Sequence, residues 1–380
     1  MIYFDNSSTT KPYKEVVDSF VTVSTKYFGN PSSLHGLGAQ AEGLLSQARK
    51  QVAKLLEVKE QEIYFTSGGT EGNNLAIKGV AIAYQNRGKH IIVSSIEHAS
   101  VGKACEQLKE LGFEITYIPV DELGRVSASD IIAAVRDETI LVTVMHVNNE
   151  VGSIQPIKEI GEGLKDFPKV FFHVDAVQSV GKIPLSLKEN EIDLCTISGH
   201  KFHGLKGTGV LYIRDGIKLS ALFSGGEQER KMRSGTENVA GAVCLAKALR
   251  ISMEKTRNGE GQFVEIMTYI RSELEKIDGI VIHTPTEYSA PHILNFSVPK
   301  IKSEVLVHAL EEKGVYVSTT SACSSKNKAI SETVLMMTNN EELAISSIRI
   351  SLTYENSMDE AKQFIKVFKE VLKNLKEVMR

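Results

Sequence analysis

The chain reads as an α/β protein with a large domain on a mostly parallel seven-stranded sheet, followed by a smaller α+β domain. Three observations predict this. Strand-like runs without polar alternation recur through the first 254 residues, as expected of strands covered on both faces. Helix-length segments separate them, the spacing of βαβ units rather than of successive hairpins. The length of 380 residues exceeds the usual size of one hydrophobic core, and 42% apolar residues suffice for two.

The seven runs are EIYFTS (62–67), HIIVSS (90–95), EITYIPV (114–120), ILVTVMHV (140–147), VFFHVD (170–175), IDLCTIS (192–198) and GVLYIR (209–214). Helical patterns at 70–87 and 99–112 lie between the early ones. Residues 192–213 read as the one antiparallel hairpin, and the large domain is expected at 16–254. A charged patch at 254–262 marks the boundary. Beyond it the pattern predicts a helix at 261–277, strands near 279–283 and 292–298, and helices near 303–314 and 358–379. With the N-terminal segment 1–15, these form the smaller domain at 255–380. The stretch STTSACSSKNKAISET (318–333) is polar and lacks apolar periodicity.

Charge and cysteine usage exclude several classes. A formal net charge of −3, from 44 basic and 47 acidic residues, gives no field suited to nucleic acid or an anionic membrane. Direct binding to either is not expected. The opening MIYFDNSSTTKPYKEV lacks the basic start and apolar core of a secretory signal, and no apolar run has transmembrane length, so a cytoplasmic location is expected. Cys105, Cys195, Cys244 and Cys323 show no C-x-x-C spacing, against both a disulfide framework and a structural zinc site. No metal is expected.

Wound sheets bind ligands beyond the carboxyl ends of their strands, so those ends hold the candidate site residues. In SGGTEGNN, Gly68 and Gly69 let the backbone approach a ligand. Thr70 is placed to cap the following helix, whose free amides suit an anion such as phosphate. The same glycines would also serve a plain strand-to-helix turn. His98 follows the second run and Asn149 the fourth; a lone histidine is more often a structural residue, and neither segment decides alone. Asp175 ends a mostly apolar strand, where a carboxylate is costly without a cationic or hydrogen-bonding partner. Gln178 lies three residues on and Lys201 closes the sixth run, so opposite charges face one crevice unless Asp175 serves a structural salt bridge.

An amine, an acid, an imidazole and an anion-binding helix start share one economical explanation: pyridoxal 5′-phosphate. Lys201 would form the Schiff base and Asp175 would hold the pyridine nitrogen protonated. Gly69, Thr70, Ser198 and His200 would cradle the phosphate. Gln178 would donate to the phenolate oxygen, and His98 would stack on the ring.

The set SGGTEGNN, EHAS, HVNNEVGSIQP, HVDAVQSVGK, SGHKFHGLKGTG, RSGTEN, TSACSS and SSIRISL spans nearly the whole chain in order. It resembles the cysteine desulfurases of the NifS/IscS type, in the class V aminotransferase superfamily. The openings MIYFDNSSTT and GNPSSLHGLG are similar to the same family. The resemblance implies a PLP-dependent transferase of fold type I, a homodimer with active sites shared between subunits. Thr236 would reach the neighbouring subunit's cofactor phosphate. Asn149 and Arg349 would hold the substrate carboxylate, a task suited to a guanidinium fork, although Arg349 fits a structural ion pair as well. Cys323, in a polar setting with Lys326 and Lys328 close behind, would be the nucleophile that takes sulfur from L-cysteine, leaving L-alanine and a persulfide. His98 joins Lys201 and Cys323 as a catalytic candidate. A segment poor in buried contacts would let Cys323 deliver sulfur to an acceptor protein, an iron–sulfur scaffold or a tRNA-thiolating enzyme. The other three thiols read as buried and inert.

The chain departs from the family pattern at Leu205, at Ser7 to Thr9 and at SLTYEN (351–356), none of which removes a catalytic group. The alternative within the fold is a class V aminotransferase or a selenocysteine lyase-type enzyme with Cys323 incidental. A binding protein on a decayed enzyme fold would require loss of Lys201.

Overall fold

The computed structural model describes residues 1–319 and 330–378. The chain begins with a short strand β1 (Ile2–Tyr3) and helices α1 (Lys14–Lys26) and α2 (Gly36–Leu55). Strands and helices then alternate: β2 (Ile63–Thr66), α3 (Gly69–Tyr84), β3 (His90–Ser94), α4 (Ala99–Glu110), β4 (Glu114–Ile118), α5 (Ala128–Ala133), β5 (Thr139–Met145), α6 (Ile157–Leu164), β6 (Phe171–Asp175), β7 (Leu194–Ser198) and β8 (Gly209–Ile213). A long helix α7 (Val239–Glu275) leads to β9 (Val281–Ile282), β10 (Ile293–Ser297), α8 (Ser303–Glu311), β11 (Val315–Tyr316) and β12 (Ser318–Thr319). After residue 330 come α9 (Glu332–Thr338), α10 (Glu341–Ile345), β13 (Ser347–Ser351) and α11 (Met358–Val378).

Strands β2 to β8 form one seven-stranded sheet in the order β2-β8-β7-β6-β5-β3-β4. All seven predicted runs are its strands. Every residue of β3, β5, β7 and β8 is buried, which is why these runs carry no polar alternation, whereas the edge strand β4 is only partly covered. The predicted hairpin is present as the antiparallel β7–β8 pair. It is not the whole of the antiparallel pairing, because β8 also runs antiparallel to β2. Reversing β8 alone leaves β2, β3, β5, β6 and β7 pointing the same way, so their carboxyl ends share one edge of the sheet.

A second, four-stranded antiparallel sheet has the order β12-β13-β10-β9, and β1 pairs in parallel with β11. Its apolar cluster gathers Phe296, Ile350, Phe364 and Phe368 with Ile2 and Phe4 from the chain's start. The large sheet's principal cluster draws on residues from Tyr13 to Leu249. The helix predicted to begin at 261 is instead the second half of α7, which runs through the expected boundary at 254 without a break. At that position along the helix Arg250 and Glu254 form an i,i+4 ion pair at 2.8 Å.

Residues 5–13 cross from one core to the other as a strap. Asn6 N–H donates to Ser351 O at the small sheet, and Thr10 N–H donates to His200 O at 2.9 Å beside the large one. That crossing puts backbone carbonyls over the end of β7, where the site lies.

Candidate active site

The carboxyl ends of the large sheet open onto a cavity of about 700 Å3. Gly69 and Thr70 reach it after β2, His98 after β3, Asn149 after β5, Asp175 and Gln178 from β6 and its turn, and Ser198, His200 and Lys201 after β7. Ser8 of the strap closes another side. Sequence position alone thus brought most of the predicted residues to one place, because each sits within a few positions of a strand end.

Lys201 belongs to a single 3-10 turn (Gly199–Lys201) that follows β7. Its Nζ donates to Ser7 O at 2.5 Å and Ser8 O at 2.9 Å, so the amine lies against the strap. The deeply buried Asp175 takes neutral donors: Asn73 Nδ2 donates to Oδ2 at 2.7 Å and Val177 N–H to Oδ1 at 2.9 Å. These fix the carboxylate's orientation without neutralising it, which leaves it free to meet a cation from the cavity.

Asn73 is a residue that sequence reasoning missed. Its Nδ2 also donates to Ser100 Oγ at 2.9 Å, and Ser100 Oγ lies 2.8 Å from His98 Nδ1, joining the acid and the imidazole in one network. Ser100 N–H donates to the same Nδ1 at 3.2 Å, so the neutral ring carries its proton on Nε2. His98 is also the N-cap of α4. The structural reading of this histidine therefore holds, and the same residue lines the cavity. The available signal was position: Asn73 stands one helical turn beyond Gly69, on the face of α3 that meets the sheet.

Thr70 differs from expectation. Helix α3 starts at Gly69 and its N-cap is Gly68, with φ of 149° and no side-chain cap, so the threonine lies inside the first turn rather than capping it. The reason is the tight approach at this turn: a Cβ on Gly69 would come within 2.9 Å of Val177 Cγ2. The Thr70 hydroxyl is left for the cavity. His200 Nδ1 lies 3.2 Å from Thr9 Oγ1, and burial, with the charges of Lys201, Lys206 and Lys182 adding, pushes its pKa down to about 4. It is neutral at pH 7, a donor to an anion without a charge of its own.

Arg349, on β13, is not among the cavity-lining residues. Nη1 donates to Asn149 O at 2.7 Å, and Nη2 donates to Asp5 Oδ1 at 3.0 Å and Ser8 Oγ at 2.7 Å. The guanidinium thus makes the structural ion pair left open by the sequence, and it does so at the cavity wall, since Ser8 and Asn149 both line the space. Asn149 contributes its backbone carbonyl to this arrangement. The strap residues Asp5, Ser7 and Ser8 were not among the predicted site residues, because DNSSTT has neither periodicity nor a spaced chemical pattern.

Two carboxyl groups near the cavity are shifted. Burial pushes Glu97 up to about 8, the Asp175 charge adding to it, while bonds from Ser94 Oγ and Met145 N–H oppose. Burial pushes Glu150 up to about 7 against the hydroxyl of Ser331 and the charge of Arg349. Behind the site, the Lys182 ammonium is pushed down to about 7, mainly by burial and then by the charges of Lys201 and Arg349.

Thr236 lies outside this cavity, exposed, in a separate hollow with Thr66, Gly207, Thr208 and Asn238. Cys323, with Lys326 and Lys328, lies outside the described residues. Cys105, Cys195 and Cys244 are buried, and burial raises each thiol's pKa, to about 12 for Cys105 and about 11 for Cys244, so none is a ready thiolate.

The donor set fits pyridoxal phosphate: an amine, a buried carboxylate held by neutral donors, and small or hydroxylated residues around a helix start share one cavity. Gln178 supplies a further point of fit. Its Nε2 donates one proton to Ser7 O, leaving a second, and its buried Oε1 has no partner among the described residues.

Residues 2–364 match the aminotransferase class-V family model. The chain is 47% identical to a "NifS/IcsS protein homolog" of Lactobacillus delbrueckii subsp. bulgaricus, over 100% of this chain and 99% of that one. It is 44% identical to a "putative cysteine desulfurase IscS 1" of Bacillus subtilis, over 98% of this chain and 99% of the relative. Among solved structures, a "NifS-like protein" superposes with a TM-score of 0.93 at 38% identity, covering 98% of this chain and 99% of that one. With the sheet, the cavity and these likenesses taken together, the chain belongs to the aminotransferase class-V family, among the cysteine desulfurases of the NifS/IscS type.

Proposed function

We propose that this protein is a pyridoxal-phosphate-dependent cysteine desulfurase, converting L-cysteine to L-alanine and retaining the sulfur as a persulfide on Cys323. The observation that carries this reading is the sharing of one cavity by Lys201, Asp175, His98 and Gln178. When bound, the cofactor supplies an electron sink for the pair released as a bond at the substrate α-carbon breaks.

Lys201 is the covalent anchor, held toward the cavity by the strap carbonyls of Ser7 and Ser8. Asp175 would keep a proton on the pyridine nitrogen, and the Asn73 and Val177 bonds preserve its aim. The His98 ring would lie against the cofactor, with Nε2 available for proton exchange because Nδ1 is occupied. Gly69, Thr70, Ser198 and His200 would hold the phosphate, and Gln178 would donate to the phenolate oxygen. Asn149 and Arg349 receive the substrate carboxylate, which competes with Asp5 for the guanidinium. The Cys323 thiolate forms a bond to the substrate sulfur as the Cβ–S bond breaks, and the electron pair left on carbon is protonated to give alanine.

The enzyme works as a homodimer. Thr236 and Phe20 sit at adjoining hollows that share Gly207, Thr208 and Asn238, and the nearby helices leave Val21 and Leu37 exposed, as a subunit interface requires. In this arrangement Thr236 reaches the phosphate of the neighbouring subunit's cofactor. The sulfur passes to an acceptor protein, an iron–sulfur scaffold or a tRNA-thiolating enzyme, in the cytoplasm. Among the described residues, no helix is long and apolar enough to cross a membrane.

The test measures alanine and sulfide formed from L-cysteine with a reductant, in wild type and Cys323→Ala. Wild type is expected to form both and the variant neither. Equal release by both would remove Cys323 from the mechanism and favour a lyase.

A further inference from the structure

Residues 229–231 hold an unusual backbone. Glu229 (φ 45°, ψ 41°), Arg230 (φ 55°, ψ 42°) and Lys231 (φ 66°) are left-handed in succession, a conformation that residues with a side chain rarely adopt and keep only where the surroundings over-determine it. The surroundings here are the outer edge of β2, whose inner edge is paired with β8. Glu229 takes a fork of two bonds from Arg49 of α2, Nη1 to Oε2 at 2.8 Å and Nη2 to Oε1 at 2.6 Å, and Oε2 also accepts from Phe65 N–H at 2.9 Å. Arg49 Nη1 and Arg230 Nη2 both donate to Ile63 O, at 2.7 Å and 2.6 Å. The Glu229 side chain is only 3% exposed, so the clamp is shielded from water.

These contacts exceed what protecting a sheet edge needs, for which an exposed charge suffices. Their further effect falls on the chain just downstream. Gln228 Oε1, next to Glu229, accepts from Gly235 N–H at 3.1 Å, and Ser234 Oγ donates to Gly226 O at 2.8 Å, so the left-handed turn and the residues before Thr236 form one laced loop. Arg233 Nε donates to Glu71 Oε1 at 2.9 Å, and Glu71 adjoins Thr70 in the first turn of α3. Thr236 itself is exposed, and its place follows from how this loop is held. On the reading of the protein as a homodimeric, pyridoxal-phosphate-dependent desulfurase in which Thr236 serves the neighbouring subunit, we infer that Glu229 is a positioning residue: clamped by Arg49 to the edge of β2, it fixes the loop that presents Thr236, and so sets the affinity for cofactor in the neighbouring subunit's site rather than in its own.

The test reads cofactor occupancy rather than turnover: the full-length dimer, stripped of cofactor, is titrated with pyridoxal phosphate and reduced with borohydride, and the adduct on Lys201 is quantified by peptide mass spectrometry. E229A is expected to need roughly tenfold more cofactor for half-occupancy, as for loss of one hydrogen bond to a charged group, and T236A the same. E229A/T236A is no weaker than T236A, since one residue acts through the other. E229Q keeps an acceptor for Phe65 N–H and stays within about threefold of wild type. Mixed dimers separate positioning from a general loss of structure. With K201A in one subunit and E229A in the other, the site that can form the adduct takes Thr236 from a subunit whose Glu229 is intact, and its affinity is that of wild type. With both substitutions in one subunit and none in the other, that site takes Thr236 from the altered loop and is roughly tenfold weaker. R49K keeps the charge but not the fork; it repeats this pattern with about a threefold change, and it decides the matter if E229A does not form dimers. Weakening that follows the E229A subunit's own Lys201, equal affinity in the two mixed dimers, or multiplying effects in E229A/T236A would overturn the role of Glu229. Failure of the underlying reading would look different: T236A would match wild type, or no adduct would form on Lys201 at all.

Discussion

The two ends of the cavity are held by opposite means. Around Asp175, the partners are neutral and belong to the large sheet and its helices: Asn73 from α3, the Val177 amide, and Ser100 and His98 at the start of α4. Around Arg349, the partners are an anion, a hydroxyl and a carbonyl brought from distant segments: Asp5 and Ser8 from the strap, and Asn149 from beyond β5. The first arrangement exists once one sheet has formed. The second exists only when the smaller sheet, the strap and the large sheet meet, so it reports on their docking as well as on substrate.

That contrast ranks the expected losses. Arg349→Ala should do the most damage, because its side chain is 5% exposed and its removal takes away the cation paired with Asp5, leaving that carboxylate the Ser8 hydroxyl. Breaking a buried pair of this kind costs about 3–5 kcal/mol, read as a fall in the unfolding free energy, together with a higher KM for L-cysteine. Arg349→Lys should recover part of the stability but little of the KM, since a point charge cannot replace the fork. A stable Arg349→Ala protein would show that this end is not assembled from two cores.

Asn73→Ala should cost less, about 1–3 kcal/mol, for a buried carboxylate and a buried hydroxyl that each lose a donor. Its signature is local: cofactor absorbance should shift as Asp175 and His98 lose their common anchor, with KM for L-cysteine little changed. A variant that altered KM and left the spectrum untouched would place Asn73 at the wrong end of the cavity.

The smallest effect concerns pH. Because the folded pKa of Glu97 is raised to about 8 from 4.5, its contribution to stability is complete below about pH 4.5 and is lost as pH rises through 8. Glu97→Gln cannot ionise, so the difference in melting temperature between the variant and wild type should grow in the variant's favour from pH 5 to pH 9. A constant difference would mean that the carboxyl is ionised throughout.

The same contrast explains what was legible in the sequence. Strand ends could be found because buried strands are uninterrupted apolar runs, and a polar residue closing one is conspicuous: Asp175, His98 and Lys201 all stand out that way. Asn73 could not be found, since its role depends on which face of α3 meets the sheet. The strap was invisible for another reason, as its contacts are backbone carbonyls and hydroxyls that carry no periodicity. The helix expected to start at 261 merges into α7 because the charged residues Glu254, Lys255 and Arg257 look the same inside a helix as in a linker. The antiparallel β2–β8 pair joins segments far apart in sequence, and nothing local to either run announces it.

The central claim is that Lys201 is the covalent anchor of an aldehyde cofactor at the end of β7. It is tested most directly by supplying purified protein with pyridoxal phosphate, reducing with borohydride and mapping the adduct by peptide mass spectrometry. The account predicts a reduced adduct on Lys201 in wild type and none on that peptide in Lys201→Ala. A wild-type protein left unmodified at Lys201, or modified only at another lysine such as Lys182, would contradict it.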